Sequence, residues 1–387
     1  MESRLRVVQL TTDNRDPFRE YHKTEPWFGT APEALFQGFA ELPHIEVHVV
    51  ACTQQPMRSP EKLAPNIFFH SLHVPKLGWM RTAYQGCIRA TRAKIRELRP
   101  DVVHGQGTER DCALSAVYSG FPNVLTIHGN MRLIAQVNRV RPGSFQWLAA
   151  RLERWTIPRS DGVVCITNYT RAAVADLASR TWVVPNAVDP TFFSVEPQSA
   201  EPPLVLCVGN IGQRKNQNAL LEALDPLAAR RPLRVVFLGG APPDDGYTAT
   251  FFRLLSERPW AAYGGFAGRA ALREQLRQTR VLALPSLEDN CPMAVLEAMA
   301  AGVPVVAARV GGLPDLIQQD ETGLFCDPFQ PESISDAIGR LLDDPLLGTA
   351  VAARARQEAL RRFHPAVVAN RHLEIYRELS LSAPSAG

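Results

Sequence analysis

Asp289 and Glu297 stand eight residues apart, and Arg214 and Lys215 stand side by side after the turn Val208-Gly209-Asn210-Ile211-Gly212. Carboxylates accept hydrogen bonds from hydroxyl groups, and adjacent cations neutralise an anion. These cations fall at the amino end of a helix predicted over 219–229, where the helix dipole already disfavours positive charge. That placement does little for stability and makes sense if an anion such as a diphosphate lies between them. His128 follows a predicted strand in Thr126-Ile127-His128-Gly129-Asn130, beside a glycine that lets a ligand approach. Each group also has a plainer reading: Asp289 as a helix cap, Glu297 as a solvent-facing helical residue, the cations as surface charges, His128 as structural. The small neighbours Ala294, Ala298 and Ala301 tilt Glu297 toward a ligand, because they let one come close.

The elements that must position these groups are legible around them. Residues 281–284 predict a strand, and Glu288-Asp289-Asn290-Cys291 a polar loop. Val295, Leu296, Met299 and Ala300 recur at helical spacing, with Pro292 placed in the first turn where a missing N–H costs nothing. Gly302 ends that helix, 303–307 predict a strand buried on both faces, and a Gly-Gly turn follows. The loop carrying Asp289, Asn290, Cys291 and Pro292 therefore lies at a helix N-terminus beyond a strand's carboxyl end. Open α/β sheets bind ligands there, and free backbone N–H groups favour anions and hydroxyl-rich groups.

The rest of the chain repeats strand and helix. Residues 5–10 predict a first strand, and Trp27-Phe28-Gly29-Thr30-Ala31-Pro32 leads into a helix with Ala34, Leu35, Phe36, Phe39 and Leu42 on one face. Gly29 is the only glycine of the intervening loop, which could cradle a phosphate or a sugar. Strands are predicted at 45–51, 67–73, 101–104, 124–127, 162–166 and 181–184, with a helix over 79–98. Residues 185–203, rich in Pro, Ser and Glu, read as an interdomain linker. The pattern then restarts, with strands at 204–208 and 233–238 and helices at 219–229, 247–258, 270–278, 331–343, 346–362 and 366–380. Such alternation predicts an α/β protein with two doubly wound, mostly parallel sheets.

At 387 residues the chain is longer than one core usually organises, and 45% hydrophobic with 21% charged residues is typical of a globular protein. A net charge of +3 does not indicate a nucleic-acid binder. Seven scattered cysteines form no Cys-x-x-Cys pair and no cluster at metal spacing, which suggests a reducing cytoplasm. Asp244-Asp245-Gly246 reads as a turn rather than a metal-binding acidic pair. No apolar run reaches the ~20 residues needed to span a bilayer, and no signal peptide is expected at the N-terminus. Arg81, Arg89, Arg92, Lys94, Arg96 and Arg99 make helix 79–98 basic, with Trp79, Met80 and Tyr84 at its start. Such a run is usually a solvated face; its functional reading is peripheral contact with an anionic membrane.

The block 285–314 resembles the signature of family 4 glycosyltransferases, retaining enzymes of the GT-B fold that use nucleotide-sugar donors. Their pattern is Glu, seven residues, Glu, then Ala-Met-Ala-x-Gly-x-Pro-Val-Val-Ala; here Asp289 takes the first position, Glu297 the second, and the following block is intact. Pro185-Asn186-Ala187-Val188-Asp189 is similar to the family's domain junction, with Ala187 in place of Gly. Gly209 and Lys215 match its Gly-Arg-x-x-x-x-Lys motif, Asn210 stands where the Arg is expected, and Arg214 offers a substitute charge. His128 matches a family Thr-x-His-Gly context near sugar and acceptor.

The resemblance implies a GT-B α/β protein, two Rossmann-like domains facing a central cleft: an acceptor-side domain over 1–193, a nucleotide-sugar domain over 194–363, and a C-terminal helix in 364–387 crossing back to the first. It implies a retaining hexosyl transfer from a nucleotide-diphosphate sugar, as co-substrate and without a metal or other cofactor, to a glycan or lipid-linked acceptor. Glu297 would hold the ribose; Asp289 with Asn290, Cys291 and Pro292, and Gly29 from the first domain, would hold the donor. Lys215 and Arg214 would neutralise the leaving diphosphate, and His128 would position sugar or acceptor. Polysaccharide biosynthesis on the cytoplasmic side, near the membrane, is the expected setting. A non-catalytic nucleotide-sugar-binding protein and a nucleotide-sugar epimerase are the alternatives. Nucleic acid is not an expected partner.

Overall fold

The computed structural model describes residues 4–198, 200–243 and 245–382. Asp244 and the last five residues of the expected C-terminal segment lie outside the described residues. The chain divides into two compact units, Met1–Ala187 with Pro365–Gly387, and Val188–His364.

In chain order the first unit runs β1 (Leu5–Leu10), α1 (Thr30–Ala40), β2 (Ile45–Thr53), β3 (Lys62–Ala64), β4 (Ile67–His73), α2 (Gln85–Leu98), β5 (Val102–Gln106), α3 (Asp111–Val117), β6 (Asn123–Ile127), α4 (Met131–Val137), α5 (Phe145–Thr156), β7 (Val163–Cys165), α6 (Asn168–Val174) and β8 (Thr181–Val183). The second holds β9 (Leu204–Val208), α7 (Gln217–Arg230), β10 (Arg234–Leu238), α8 (Gly246–Ser256), β11 (Ala261–Gly265), α9 (Arg269–Gln278), β12 (Thr279–Leu284), α10 (Met293–Ala301), β13 (Val305–Ala308), α11 (Leu313–Leu316), β14 (Leu324–Cys326), α12 (Pro331–Asp343) and α13 (Pro345–Phe363). The last helix, α14 (Pro365–Ser382), belongs to the first unit, where it packs on α1.

Each unit is an open sheet. The first has the order β3-β4-β2-β1-β5-β6-β7-β8, parallel except for β3, which pairs antiparallel with β4. The second is parallel throughout, in the order β11-β10-β9-β12-β13-β14. Val, Ile, Leu and Phe fill the central strands because helices cover both faces and leave no wet side. In both sheets the strand order reverses beside the first strand, between β1 and β5 and between β9 and β12. The loops leaving those strands' carboxyl ends flank a topological switch point, the position where such sheets take ligands.

Several elements differ from the sequence reading. The helix expected over 79–98 begins only at Gln85. Residues 76–82 form short 3-10 turns, and Ala83 and Tyr84 take left-handed backbone angles that no α-helix can run through. The cause is an anchor: the Trp79 indole N–H donates to the Val74 carbonyl at 2.8 Å, and Trp79 and Tyr84 are core residues rather than an exposed interfacial pair. The boundary falls at 187/188 rather than 193/194. Val188 donates to the Phe363 carbonyl at 2.9 Å and Phe192 is fully buried, so the junction residues are part of the second unit instead of a free linker. Cys52, Cys87 and Asp111, from three elements, come within 4.8 Å of one another, a proximity invisible to linear spacing. The seven cysteines are all free and buried. No helix among the described residues is long and apolar enough to cross a membrane.

Candidate active site

In the second unit the β9 loop and the β12 loop meet at the switch point. Lys215 ends a 3-10 turn, Gln213–Lys215, ahead of α7 rather than lying inside that helix. Its stem runs along Gly209, where any Cβ would meet Lys215 Cε at 3.1 Å and Cδ at 3.3 Å. Glycine there keeps the lysine's slot open. Lys215 Nζ reaches Asp289 Oδ2 at 2.5 Å, and Arg214 Nη1 lies 3.3 Å from Asp289 Oδ1. Both cations therefore converge on one carboxylate. Arg214 also donates to the Glu288 carbonyl at 2.9 Å, lies 3.6 Å from the Glu288 carboxylate, and accepts from the Leu287 amide at 2.8 Å. Two cations thus face two acids, and burial raises the Glu288 carboxyl above its usual range.

Asp289 does not cap the following helix. Its carboxylate is occupied by Lys215, Arg214 and the Ser286 hydroxyl, at 3.1 Å. Pro292 takes the N-cap position of α10 rather than its first turn, with φ −65° and ψ 118°, and supplies no side-chain acceptor. Asn290 and Cys291 are buried beside it. The loop's path is set from behind: the Gly312 amide donates to the Asp289 carbonyl at 2.9 Å, and a Cβ at Gly311 would sit 1.9 Å from that carbonyl oxygen. With φ +55° as well, position 311 requires glycine. Asn210, where a family arginine was expected, accepts from the Gly240 amide at 2.9 Å and ties the β9 loop to the β10 loop. The charge missing there is present at Arg214, beside Lys215.

Glu297 stands apart from this cluster. It is a buried residue of α10, and burial lifts its carboxyl to about 7, with Arg269 pulling the value down and Asp189 pushing it up. Arg269, at the start of α9, bonds Asp189 at 3.2 Å. Asp189 also caps the 3-10 turn Pro190–Ser194 by accepting from the Thr191 amide at 2.9 Å. The Glu297, Arg269 and Asp189 group was not apparent from sequence. Arg269 lies in a run, Arg269-Ala270-Ala271-Leu272-Arg273, that looks like any solvated helix.

Gly29 and His128 lie in the first unit. Gly29 is the N-cap of α1, and a Cβ there would meet nothing nearer than Pro32 Cδ at 3.5 Å, so space alone does not demand glycine. The loop before it is built on Arg15, which is fully buried. Arg15 pairs with Asp13 at 2.6 Å and donates to the carbonyls of Lys23, Thr24 and Arg58. His128, half-buried at the end of β6, has Nε2 2.9 Å from Gln106 Oε1 and Nδ1 3.2 Å from Asn186 Oδ1. Burial lowers its pKa to about 4, against a smaller upward pull from Asn186, so the ring is neutral at physiological pH. Behind it Gln106 donates to Gln9 at 2.9 Å, Gln9 donates to the Tyr376 hydroxyl at 2.7 Å, and that hydroxyl lies 2.6 Å from His104 Nδ1. His104 is a core residue of this relay. Asp245 is the N-cap of α8, accepting from the Thr248 amide, and Gly246 is that helix's first residue, where the sequence reading placed a turn.

Two family models match the chain in succession: Glycosyltransferase Family 4 over residues 33–192 and Glycosyl transferases group 1 over residues 189–359. The chain is 32% identical over 258 residues to the D-inositol 3-phosphate glycosyltransferase of Kineococcus radiotolerans, a match covering 58% of this chain and 59% of that protein. Among solved structures, sucrose-phosphate synthase from Thermosynechococcus elongatus superposes with a TM-score of 0.75 at 19% identity, over 98% of this chain and all of that one. Anabaena HepE in complex with UDP-glucose gives 0.69 at 15% identity, over 97% of this chain and all of that one. The fold is that of the GT-B class, and the matched families and relatives are glycosyltransferases. The chain belongs to family 4 of the glycosyltransferases.

Proposed function

We propose that this protein transfers a sugar, with retention of anomeric configuration, from a nucleotide-diphosphate sugar to a glycan or lipid-linked acceptor. The observation that carries this reading is the convergence of Lys215 and Arg214 on Asp289 at the β9/β12 switch point, ahead of α10, whose N-cap Pro292 offers no side-chain acceptor. A diphosphate entering there takes over the two cations, which stabilise the charge that grows on it as the sugar departs. No resident metal enters this scheme, because the protein's own cations meet the diphosphate charge. Asp289, released from Lys215, and the backbone of Asn290, Cys291 and Pro292 hold the sugar. Glu297, with Arg269 beside it, accepts hydrogen bonds from the ribose hydroxyls. His128, in the first unit, is neutral and has one ring N–H to donate, to the amide oxygen of Gln106 or of Asn186, so toward a sugar or acceptor it serves as a hydrogen-bonding group and not as an acid.

A thermal-shift panel with UDP, GDP, ADP and their sugar conjugates, with and without EDTA, tests the reading. Stabilisation by one nucleotide, unchanged by EDTA and lost in Lys215→Ala, supports it. A well-folded protein that responds to none of these ligands overturns it.

A further inference from the structure

Three side chains that the donor chemistry does not use converge in the first unit: Cys52 near the carboxyl end of β2, Cys87 in the first turn of α2, and Asp111 at the first residue of α3. Their two sulfurs and one carboxylate oxygen all lie within 4.8 Å of one another. A tetrahedral zinc ion, with bonds of ~2.3 Å to sulfur and ~2.0–2.2 Å to oxygen, holds such atoms roughly 3.5–3.8 Å apart. Shifts of under ~1 Å in each side chain therefore close the set around an ion. Positions 52, 87 and 111 share no metal-ligand spacing, so only the fold brings them together.

The surroundings are apolar. Cys52 and Cys87 belong to one core cluster with Val74, Trp79, Ile88 and Leu114, and Asp111 is buried beside them. A carboxylate is costly in such a place unless a cation meets it. Among the described residues Asp111 makes no ion pair; its side-chain hydrogen-bond partner is the Cys52 thiol, and Arg110, next in sequence, acts on it through charge without pairing. One cysteine in such a core is a small hydrophobe. Two of them drawn to one uncompensated carboxylate make a donor set. Two soft sulfurs with one hard oxygen suit a borderline ion, whereas magnesium and calcium want oxygen throughout. We propose that Cys52, Cys87 and Asp111 bind one zinc ion, which fastens the heads of α2 and α3 to the end of β2. The site is structural and separate from the Lys215–Asp289 pair, which belongs to the second unit. On binding, each thiol gives its proton to solvent, and two thiolates and a carboxylate then surround the dication. Cys87 is fully buried, while Cys52 and Asp111 keep 6% and 7% exposure, so a water completes the coordination from their side.

Metal titration of the full chain tests this. Protein freed of metal by a chelator, with its thiols kept reduced by a phosphine, is titrated with cobalt(II) and then with zinc. One cobalt per chain is expected, with a sulfur-to-cobalt charge-transfer band and the visible bands of a tetrahedral ion, all bleached by one equivalent of zinc. Zinc is expected to raise the melting temperature by several degrees, because it binds the folded chain. Cys87→Ala and Asp111→Asn are each expected to weaken zinc binding at least ~100-fold, the upper end of what losing an outer-shell partner costs. Cys112→Ala removes the buried thiol next to Asp111 that is not part of the set, and is expected to bind zinc like wild type. Circular dichroism checks that the variants fold; where one does not, the wild-type spectrum and stoichiometry decide alone. The proposal is overturned if folded wild type shows no charge-transfer band, if Cys87→Ala or Asp111→Asn keeps wild-type affinity, or if zinc leaves the melting temperature unmoved. Cobalt bound without the sulfur band is an adventitious surface ion and overturns it as well. The nucleotide increment in melting temperature is read over whichever baseline the metal sets, so either result can fail without the other.

Discussion

Lys215 Nζ lies 2.5 Å from Asp289 Oδ2, although 74 residues separate the two in sequence. The lysine follows β9 and the aspartate follows β12, so their contact is a direct product of the strand order reversing between those two strands. It also gives each a partner before any donor arrives: the cation is held pointing into the site, and the carboxylate is kept from facing the helix terminus alone.

The pair behaves as a competition. Lys215→Ala is expected to weaken nucleoside-diphosphate binding and to lower sugar transfer by at least ~100-fold, the scale of losing a major charge-stabilising contact. Asp289→Asn is expected to bind the bare nucleoside diphosphate as tightly as wild type or more so, because Lys215 loses its resting partner, yet to lose the added affinity for the sugar-bearing donor. Calorimetric titration of both variants with both ligands checks this. Weaker binding of the bare diphosphate by Asp289→Asn would remove the competitive role of the carboxylate.

Glu297 is expected to make stability and nucleotide binding depend on pH in opposite senses. Burial raises its carboxyl to about 7, above the ordinary value near 4.5 that it regains on unfolding. Between those values the folded chain holds a proton that the unfolded chain has lost, so this group's contribution to stability falls as pH rises from about 4.5 to about 7. Glu297→Gln is expected to be more stable than wild type at pH 8, by up to about 3 kcal/mol, with little difference at pH 4. Nucleotide affinity should move the other way, rising as pH passes 7, since the ionised carboxylate is the better acceptor for ribose hydroxyls. Denaturant melts and nucleotide titrations at pH 5, 6, 7 and 8 separate the two effects. A Glu297→Gln protein with the pH profile of wild type would refute this placement.

Much of this was legible in the chain because the local signals agree with one another. The apolar runs, the Gly-Val-Pro turn after α10 and the Gly311-Gly312 turn each specify a short piece whose neighbours are close in sequence. Partners brought together only by topology were not legible. Arg269 and Asp189 reach Glu297 from α9 and from the segment first read as a linker, and neither residue type distinguishes itself from a surface charge. Arg15 illustrates the same limit. In sequence it belongs to a polar loop, yet it is fully buried because Asp13 and three carbonyls satisfy it. Helix α2 is shorter than its periodicity predicts for a related reason: the periodicity continues back to Trp79, but burial of that indole bends the backbone out of the helix.

His128 should titrate far from solution histidine. Burial holds His128 and His372 at about 4, and His104 well below its ordinary value of 6.5. The unfolded chain binds these protons first, so the first unit's stability is complete above about 6.5 and drains away as pH falls toward 4. Removing the Tyr376 hydroxyl, in Tyr376→Phe, leaves Gln9 and His104 short of a partner inside the core. A cost of about 1–3 kcal/mol is expected, with mixed tautomers at His128 where wild type shows one. Nitrogen-15 spectra of histidine-labelled protein across pH 4–8 report both quantities. A His128 midpoint near 6.5 would mean that the ring is freely hydrated and that the Tyr376–Gln9–Gln106 relay does not hold it.

Gly311 gives the sharpest test of how the donor loop is held. An alanine there places its Cβ on the Asp289 carbonyl oxygen, at 1.9 Å, and must also adopt a φ of +55°. Left-handed backbone costs a non-glycine residue roughly 1–2 kcal/mol before any clash is counted. The clash is with backbone, which has no rotamer to move, so the loop carrying Asp289 must shift. The amide of Gly312 then loses its 2.9 Å bond to that same carbonyl. Since Lys215 and Arg214 are both held by Asp289, a displaced loop disorders the cation pair as well. Gly311→Ala is therefore expected to keep both sheets, as read by circular dichroism, while melting several degrees lower and losing nucleoside-diphosphate binding at least about tenfold, because misplacing a charged contact by an ångström is costly. Folded Gly311→Ala protein that binds nucleotide like wild type would show that the diphosphate does not depend on the Asp289 loop, and would move the anion site toward the β9 loop alone.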